Sequence, residues 1–180
     1  MCGIIVSSGG KIELDKLQEG HKITNKRGPD DSSTFSVGDN TFMFNRLSIM
    51  GLSFNGMQPF SFNGNVLVAN AEIYNFKQIK NELKNKHIFL SESDCEVLLP
   101  LYDELGFYMF NYLDAEFAIV LYDKNLDLLI AARDPLGIRP LFYGYIKNTN
   151  NIVFSSEVKG IIDAVDKVNP FPPGHYFDGY

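Results

Sequence analysis

The sequence predicts an α+β domain in which antiparallel sheets are covered by helices. Three observations predict it. Short apolar, strand-like runs come in pairs joined by tight turns. Stretches with helical periodicity separate those pairs. The composition, 45% hydrophobic and 21% charged over 180 residues, is that of a chain with a buried core. At this length folding buries roughly 70% of the unfolded chain's surface, so no disulfide or metal is required to hold the domain together.

Ile4, Ile5 and Val6 form the first apolar run, with Ser7-Ser8-Gly9-Gly10 as its turn. Leu14, Leu17, His21 and Thr24 fall on one helical stripe, which predicts a helix over 14–25, and the loop Arg27-Gly28-Pro29-Asp30 follows. A hairpin is expected from 34–37 and 41–46 around Gly38-Asp39-Asn40. Residues 65–71 read as a buried strand; 76–83 and 94–105 carry helical periodicity, with Pro100 as a disturbance in the second. Ser93 and Glu96 have the spacing of a capping box. Further hairpins are expected from 117–122 with 128–132 and from 141–145 with 152–154, then a short helix over 157–165. The chain ends at Tyr176-Phe177-Asp178-Gly179-Tyr180 in what reads as the inside of a strand, as expected of a segment of a longer polypeptide.

A formal net charge of −6 argues against nucleic acid and anionic membranes as partners. No apolar run approaches the ~20 residues that span a bilayer, and the N-terminus lacks the regions of a signal peptide. Two cysteines, Cys2 and Cys95, make no disulfide framework, so a reducing cytoplasm is the expected location. His21, His87 and His175 lack metal-ligand spacing, and no metal is expected.

Cys2 is the residue with a chemical option of its own. Removal of Met1 would leave a thiol and a free α-amine on one residue. The amine, with an ordinary pKa of about 7.7–8.0, is partly a free base at neutral pH and can take the thiol proton. Position two alone is weak evidence, since a small buried residue at the start of a strand is the commoner case.

Further stretches change that balance. Met1-Cys2-Gly3-Ile4, Arg27-Gly28-Pro29-Asp30, Arg46-Leu47-Ser48-Ile49, Gln58-Pro59, Asn70-Ala71-Glu72-Ile73-Tyr74-Asn75, Ser93-Asp94-Cys95-Glu96 and Arg133-Asp134-Pro135-Leu136-Gly137-Ile138-Arg139-Pro140 occur in this order. Together they resemble the glutaminase domain of class II glutamine amidotransferases, the asparagine synthetase branch being the nearer pattern. Ser155-Ser156-Glu157-Val158-Lys159 and Pro172-Pro173-Gly174-His175 extend the resemblance over essentially the whole chain. It implies one type 2 amidotransferase domain over residues 1–180, with the N-terminal nucleophile hydrolase fold: a four-layer αββα sandwich of two antiparallel sheets between helical layers.

The resemblance also implies the chemistry. Cys2 would attack the side-chain carboxamide of L-glutamine, ammonia would leave, and water would hydrolyse the thioester to glutamate. The Asn70 side-chain amide and the N–H of Ala71 would hold the oxyanion. Arg46 would grip the substrate carboxylate, Asp94 with Glu72 beside it would meet the ammonium, and Leu47, Ile49 and Met50 would line the pocket. The loop 27–30 would help close the site. Arg133, Asp134 and Arg139 are expected outside it, as an ion-pair network under the sheets, and Cys95 as a buried inert thiol. No cofactor is expected in this domain. ATP and magnesium would belong to a C-terminal synthetase domain, a partner that these residues do not encode; Ser8-Gly9-Gly10-Lys11 only superficially resembles its phosphate loop, because Ile12 and Glu13 break the pattern. A homodimer is left open.

The chain departs from the family pattern at Ala71, where glycine is usual, and at Lys26, where histidine is common. Alanine resists positive φ, so the donor would be less well aimed if the backbone needs that region. Three functions therefore compete: a glutaminase domain supplying ammonia for the synthesis of asparagine from aspartate and ATP, or for a different acceptor; a non-catalytic glutamine-binding or docking module; and an amidase for another amide.

Overall fold

The computed structural model describes residues 1–10 and 13–179. Lys11 and Ile12 of the stretch read as a turn, and Tyr180 at the end of the presumed strand, lie outside the described residues. In chain order the elements are β1 (Gly3–Ser7), α1 (Leu14–Thr24), β2 (Asp31–Val37), β3 (Asn40–Arg46), β4 (Phe60–Phe62), β5 (Asn65–Ile73), α2 (Phe76–Leu83), α3 (Leu98–Leu105), α4 (Met109–Tyr112), β6 (Ala115–Asp123), β7 (Leu128–Arg133), β8 (Phe142–Tyr145), β9 (Ile152–Ser155), β10 (Asn169–Pro170) and β11 (Tyr176–Phe177). They form a six-stranded sheet, β10-β8-β9-β1-β3-β2, and a five-stranded sheet, β11-β7-β6-β5-β4, with antiparallel pairing throughout.

Side-chain alternation along the strands builds four layers. Ile4 and Val6 of β1, Phe42 and Phe44 of β3, Val66 and Val68 of β5, and Ala118 and Val120 of β6 meet between the sheets. Ile5, Met43 and Val153 point the other way, onto Leu17 of α1 and onto Ile161 and Val165. On the far side of the second sheet, Leu67, Ala69, Ile119 and Ile130 pack against Ile79 of α2 and Leu98 and Leu101 of α3. This is the αββα sandwich of two antiparallel sheets that the resemblance implied.

Local expectations differ from the structure in several places. The short helix over 157–165 is absent: only Val158–Gly160 forms a 3-10 turn. Gly160 and the β-branched Ile161, Ile162 and Val165 are weak helix formers, and Val165 is instead bridged to Ile146. The helix over 94–105 starts as a 3-10 turn, Asp94–Val97, and becomes α-helical only at Leu98, so Pro100 falls in the first α-helical turn, where it is tolerated. No capping box forms at Ser93. Glu96 instead accepts the N–H groups of Leu90 (2.5 Å) and Ser91 (2.9 Å) and lies 3.6 Å from Lys80 Nζ. A 3-10 first turn lacks the donor geometry that the box needs.

Candidate active site

The site arises where the inter-sheet faces outrun their apolar residues. Cys2 shares the parity of Ile4 and Val6, and Arg46 that of Phe42 and Phe44. Asn70 and Glu72 continue the face of Val66 and Val68, and Glu116 continues that of Ala118 and Val120. Gly3 pairs with Asn45 and Glu72 with Glu116, so the polar positions collect at one end of the sandwich. There they line a cleft that holds Cys2, Arg46, Leu47, Ile49, Met50, Asn70, Ala71, Glu72 and Asp94. Every site residue expected from the sequence is brought together in it.

The Cys2 Sγ lies 3.4 Å from the Leu47 N–H, which points at it, and 3.7 Å from the Leu47 carbonyl. Arg27 Nε donates to the Cys2 carbonyl at 2.9 Å, and Asp30 accepts the Ser48 N–H at 2.7 Å. The loop 27–30 thus braces both the cysteine and the segment after β3. Burial pushes the Cys2 thiol up; the Leu47 N–H, the nearby chain terminus, Arg46 and Arg139 oppose that shift. The thiol therefore needs a base, and the local donors favour its thiolate. Met1 also lines the cleft, and burial lowers the pKa of its terminal amine.

Asn70 is 2% exposed, and its Nδ2 is buried with no hydrogen-bond partner. A buried amide donor without a partner costs roughly 1–3 kcal/mol, which in a cleft beside a thiol marks a place kept for an acceptor. Ala71 lies within β5 opposite Phe117, and its φ is outside the positive region. The strain that alanine would suffer at positive φ therefore does not arise.

Hydrogen bonding along β5 shows what flanks Ala71. The turn Asn63-Gly64 joins β4 to β5 with Phe62 opposite Asn65 and Phe60 opposite Leu67, so the odd-numbered backbone groups of β5 face β4. Beyond β4, Gln58 replaces a strand: its Oε1 accepts the Ala69 N–H at 2.6 Å, and its Nε2 donates to the Ala69 carbonyl at 3.2 Å. Asp94 Oδ2 accepts the Ile73 N–H at 2.8 Å. Ala71 falls between these two, on the side of β5 that β4 leaves uncovered, and it lines the cleft.

Arg46 is 5% exposed and donates to the carbonyls of Ser53 (3.1 Å) and Gly51. Gly51 has φ +59, and a side chain there would meet the Ser93 backbone, so only glycine supports this turn. Burial raises the Glu72 carboxyl, Asp94 adds to that shift, and Arg139 opposes it. The cleft thus holds a buried guanidinium and two carboxyls, the charges that complement a free amino acid.

The expectation for the motif at 133–140 is corrected. Arg139 lines the cleft, 3.0 Å from Glu116, whose Oε1 also accepts the Tyr74 hydroxyl at 3.0 Å. Arg133 and Asp134 form no ion-pair network among the described residues. Arg133 donates to the carbonyls of Gly137, Arg139 and Phe171, and Asp134 accepts the N–H groups of Phe117, Leu136, Ile138 and Arg139. This buried carboxyl and its neighbouring arginine knot the 134–139 turn, which aims Arg139 at the cleft. Gln58 and Ser93 are further lining residues, named among the family stretches but given no role in the site; Gln58 carries no chemical signal beyond its place before Pro59. Cys95 is 5% exposed, and burial holds its thiol well above the ordinary range.

Among the described residues, no group of three or more His, Cys, Asp and Glu could hold a metal ion, and no helix is long and apolar enough to cross a membrane.

Comparison with known proteins gives consistent matches. The sequence pattern of the glutamine amidotransferase domain matches residues 1–176. The chain is 39% identical over 191 residues to a probable asparagine synthetase (glutamine-hydrolyzing) of Dictyostelium discoideum, covering 98% of this chain and 33% of that protein. It is 42% identical over 137 residues to asparagine synthetase (glutamine-hydrolyzing) 2 of Bacillus subtilis, covering 75% of this chain and 18% of that protein. The chain spans about a third of the length of the curated relatives that it matches end to end. In three dimensions it resembles glutamine phosphoribosylpyrophosphate amidotransferase of B. subtilis, with a TM-score of 0.81 at 21% identity over 97% of this chain and 46% of that one.

Proposed function

This chain belongs to the class II glutamine amidotransferase family, and from that membership we propose that it hydrolyses L-glutamine and supplies the ammonia to a synthetase. The observation that carries the proposal is the buried, unpartnered Asn70 Nδ2, set in one cleft with Cys2 and Ala71.

In the proposed reaction Met1 is first removed, which exposes the Cys2 α-amine. Arg46 binds the glutamine carboxylate, and Asp94 with Glu72 binds the ammonium. The side chain of glutamine then reaches Cys2. The amine takes the thiol proton, and sulfur attacks the carboxamide carbon. Asn70 Nδ2 and the Ala71 N–H hold the oxyanion. Collapse expels ammonia with a proton returned from the amine, and water cleaves the thioester to glutamate. The acceptor that fits the relatives' printed names is that of an asparagine synthetase, aspartate activated with ATP, outside these residues.

Asn70→Ala tests the assignment. Loss of an oxyanion donor lowers kcat by roughly 10²–10³-fold. The expected result is that loss in glutamate release, with unchanged circular dichroism and a KM within a few fold. Activity at the parent level would remove Asn70 from the oxyanion site.

A further inference from the structure

The first strand is held at its start by a segment that is not a strand. β9 pairs with β1 only as far as Ser155 opposite Ile5. Beyond that point Ser156 takes over: its N–H donates to the Ile4 carbonyl at 3.0 Å, and its Oγ accepts the Ile4 N–H at 3.0 Å. The next residue, Glu157, meets Arg27, with Oε1 3.6 Å from Nη1, and its other oxygen lies 3.0 Å from Lys159 Nζ. Ser155 Oγ fixes this bend by donating to the Glu157 carbonyl at 2.8 Å. The side chain of Arg27 is only 10% exposed, and among the described residues Glu157 is the carboxylate paired with it. Arg27 Nε in turn donates to the Cys2 carbonyl.

These contacts bear on the one backbone atom of Cys2 that the reaction uses. Removal of Met1 leaves Cys2 terminal, with nothing before it in the chain to hold it. Its carbonyl is then held by Arg27 Nε at 2.9 Å and its Sγ by the Leu47 N–H at 3.4 Å. Cα is a fixed stereocentre, so two placed substituents determine where the third, the amine, points. With Arg27 released, rotation about the last backbone bonds turns the amine away from the thiol. A guanidinium this far buried is costly without its carboxylate, so Glu157 decides whether Arg27 stays in place.

Taking that amine as the base proposed above, we infer that Glu157 is a positioning residue: it keeps Arg27 on the Cys2 carbonyl and thereby holds the freed α-amine against the thiol. Glu157 does not line the cleft and acts through Arg27. The charged and titratable groups around the thiol and amine are Arg27 and Asp30 from the loop after α1, Arg46 from β3, Glu72 from β5, Asp94 and Cys95 from the turn before α3, and Arg139 from the turn after β7. Once the amine has taken the proton, it stands as an ammonium beside the thiolate and offsets the burial that pushes the thiol up. Its release raises the pH at which Cys2 becomes a thiolate. Loss of the negative charge of Glu157 acts by itself in the opposite direction, so the sign of the shift separates positioning from simple electrostatics.

Iodoacetamide alkylation of Cys2 in the Met1-free chain, followed by peptide mass from about pH 5 to 9, reads the thiolate without any glutamine. Glu157→Gln keeps the shape of the side chain and removes its charge. The expected result is a profile displaced upward by about one pH unit, which is roughly tenfold slower labelling at neutral pH, with unchanged circular dichroism. Glutamine hydrolysis loses about 10–100-fold in kcat, with KM within about twofold. In an Arg27→Ala background, or in Arg27→Lys if Arg27→Ala does not fold, Glu157→Gln has no further effect, because it acts through the contact already lost. A profile that stays in place or moves down overturns the inference, and so does an effect that adds in full to that of the Arg27 variant. A parent chain that alkylates at Cys2 but does not hydrolyse glutamine sinks the glutaminase reading alone, and the alkylation profiles still decide the role of Glu157.

Discussion

At the scale of single residues, the cleft holds charges of both signs. Arg46 is fixed by two backbone carbonyls, so its guanidinium is set before any ligand arrives. Charge-assisted hydrogen bonds contribute roughly 1.5–3 kcal/mol, and Arg46→Ala is therefore expected to raise the KM for glutamine about 10–100-fold, with a smaller effect on kcat. An unchanged KM would count against the carboxylate role. Glu72 yields a pH dependence. Its carboxyl is raised by burial and by Asp94, and a bound ammonium would favour its ionised form. Glutamine binding then expels a proton, and affinity falls as pH drops from neutrality through the raised value. The KM should climb in mild acid for the parent and much less for Glu72→Gln, as initial-rate profiles would show. These residues were legible in the sequence because each sits in a short motif of distinctive type. Arg139 was misplaced because nothing in Arg133–Pro140 shows which of its charges the turn buries and which it aims at the cleft.

At the scale of elements, β5 organises the site through its open edge. Gln58 satisfies Ala69 in place of a strand, which stops the ladder one step short of Ala71. Gln58→Ala leaves the buried Ala69 N–H and carbonyl unpaired, at a cost of about 2 kcal/mol or more. The expected outcome is a drop of roughly 5 °C in Tm together with reduced kcat; a loss of kcat without a change in Tm would assign Gln58 a direct role instead. α1 has its own titration. His21 is buried, and burial lowers its pKa from the ordinary 6.5, although the Phe44 backbone opposes this. The unfolded chain then binds the proton more readily, so stability is fully present above about pH 6.5 and falls as pH drops through that value. Urea melts from pH 8 to 5 should show this slope, flattened in His21→Gln. The strands that carry Cys2, Arg46 and Asn70 could be read from their apolar runs, but the parity of each residue could not, because these strands are buried on both faces and do not alternate. The helix over 157–165 could not be rejected that way, since bridging to Ile146 is a tertiary event.

At the scale of the whole molecule, the apolar inter-sheet core ends before the strands do, and the chemistry occupies the remainder. The pairs of apolar runs revealed antiparallel sheets, but the four-layer arrangement came from the resemblance. Strands of two or three residues such as β4, β10 and β11 hold too few alternations to be recognised, and their pairing depends on neighbours distant in sequence. The central claim is that Cys2, freed of Met1, is a nucleophile addressed by a glutamine-shaped cleft. Intact mass after incubation with 6-diazo-5-oxo-norleucine, a glutamine-like alkylator, tests it most directly. The account predicts loss of Met1 and a single adduct on Cys2, suppressed by excess glutamine and absent from Cys2→Ala. A processed chain that stays unlabelled, or one labelled at Cys95, would contradict it.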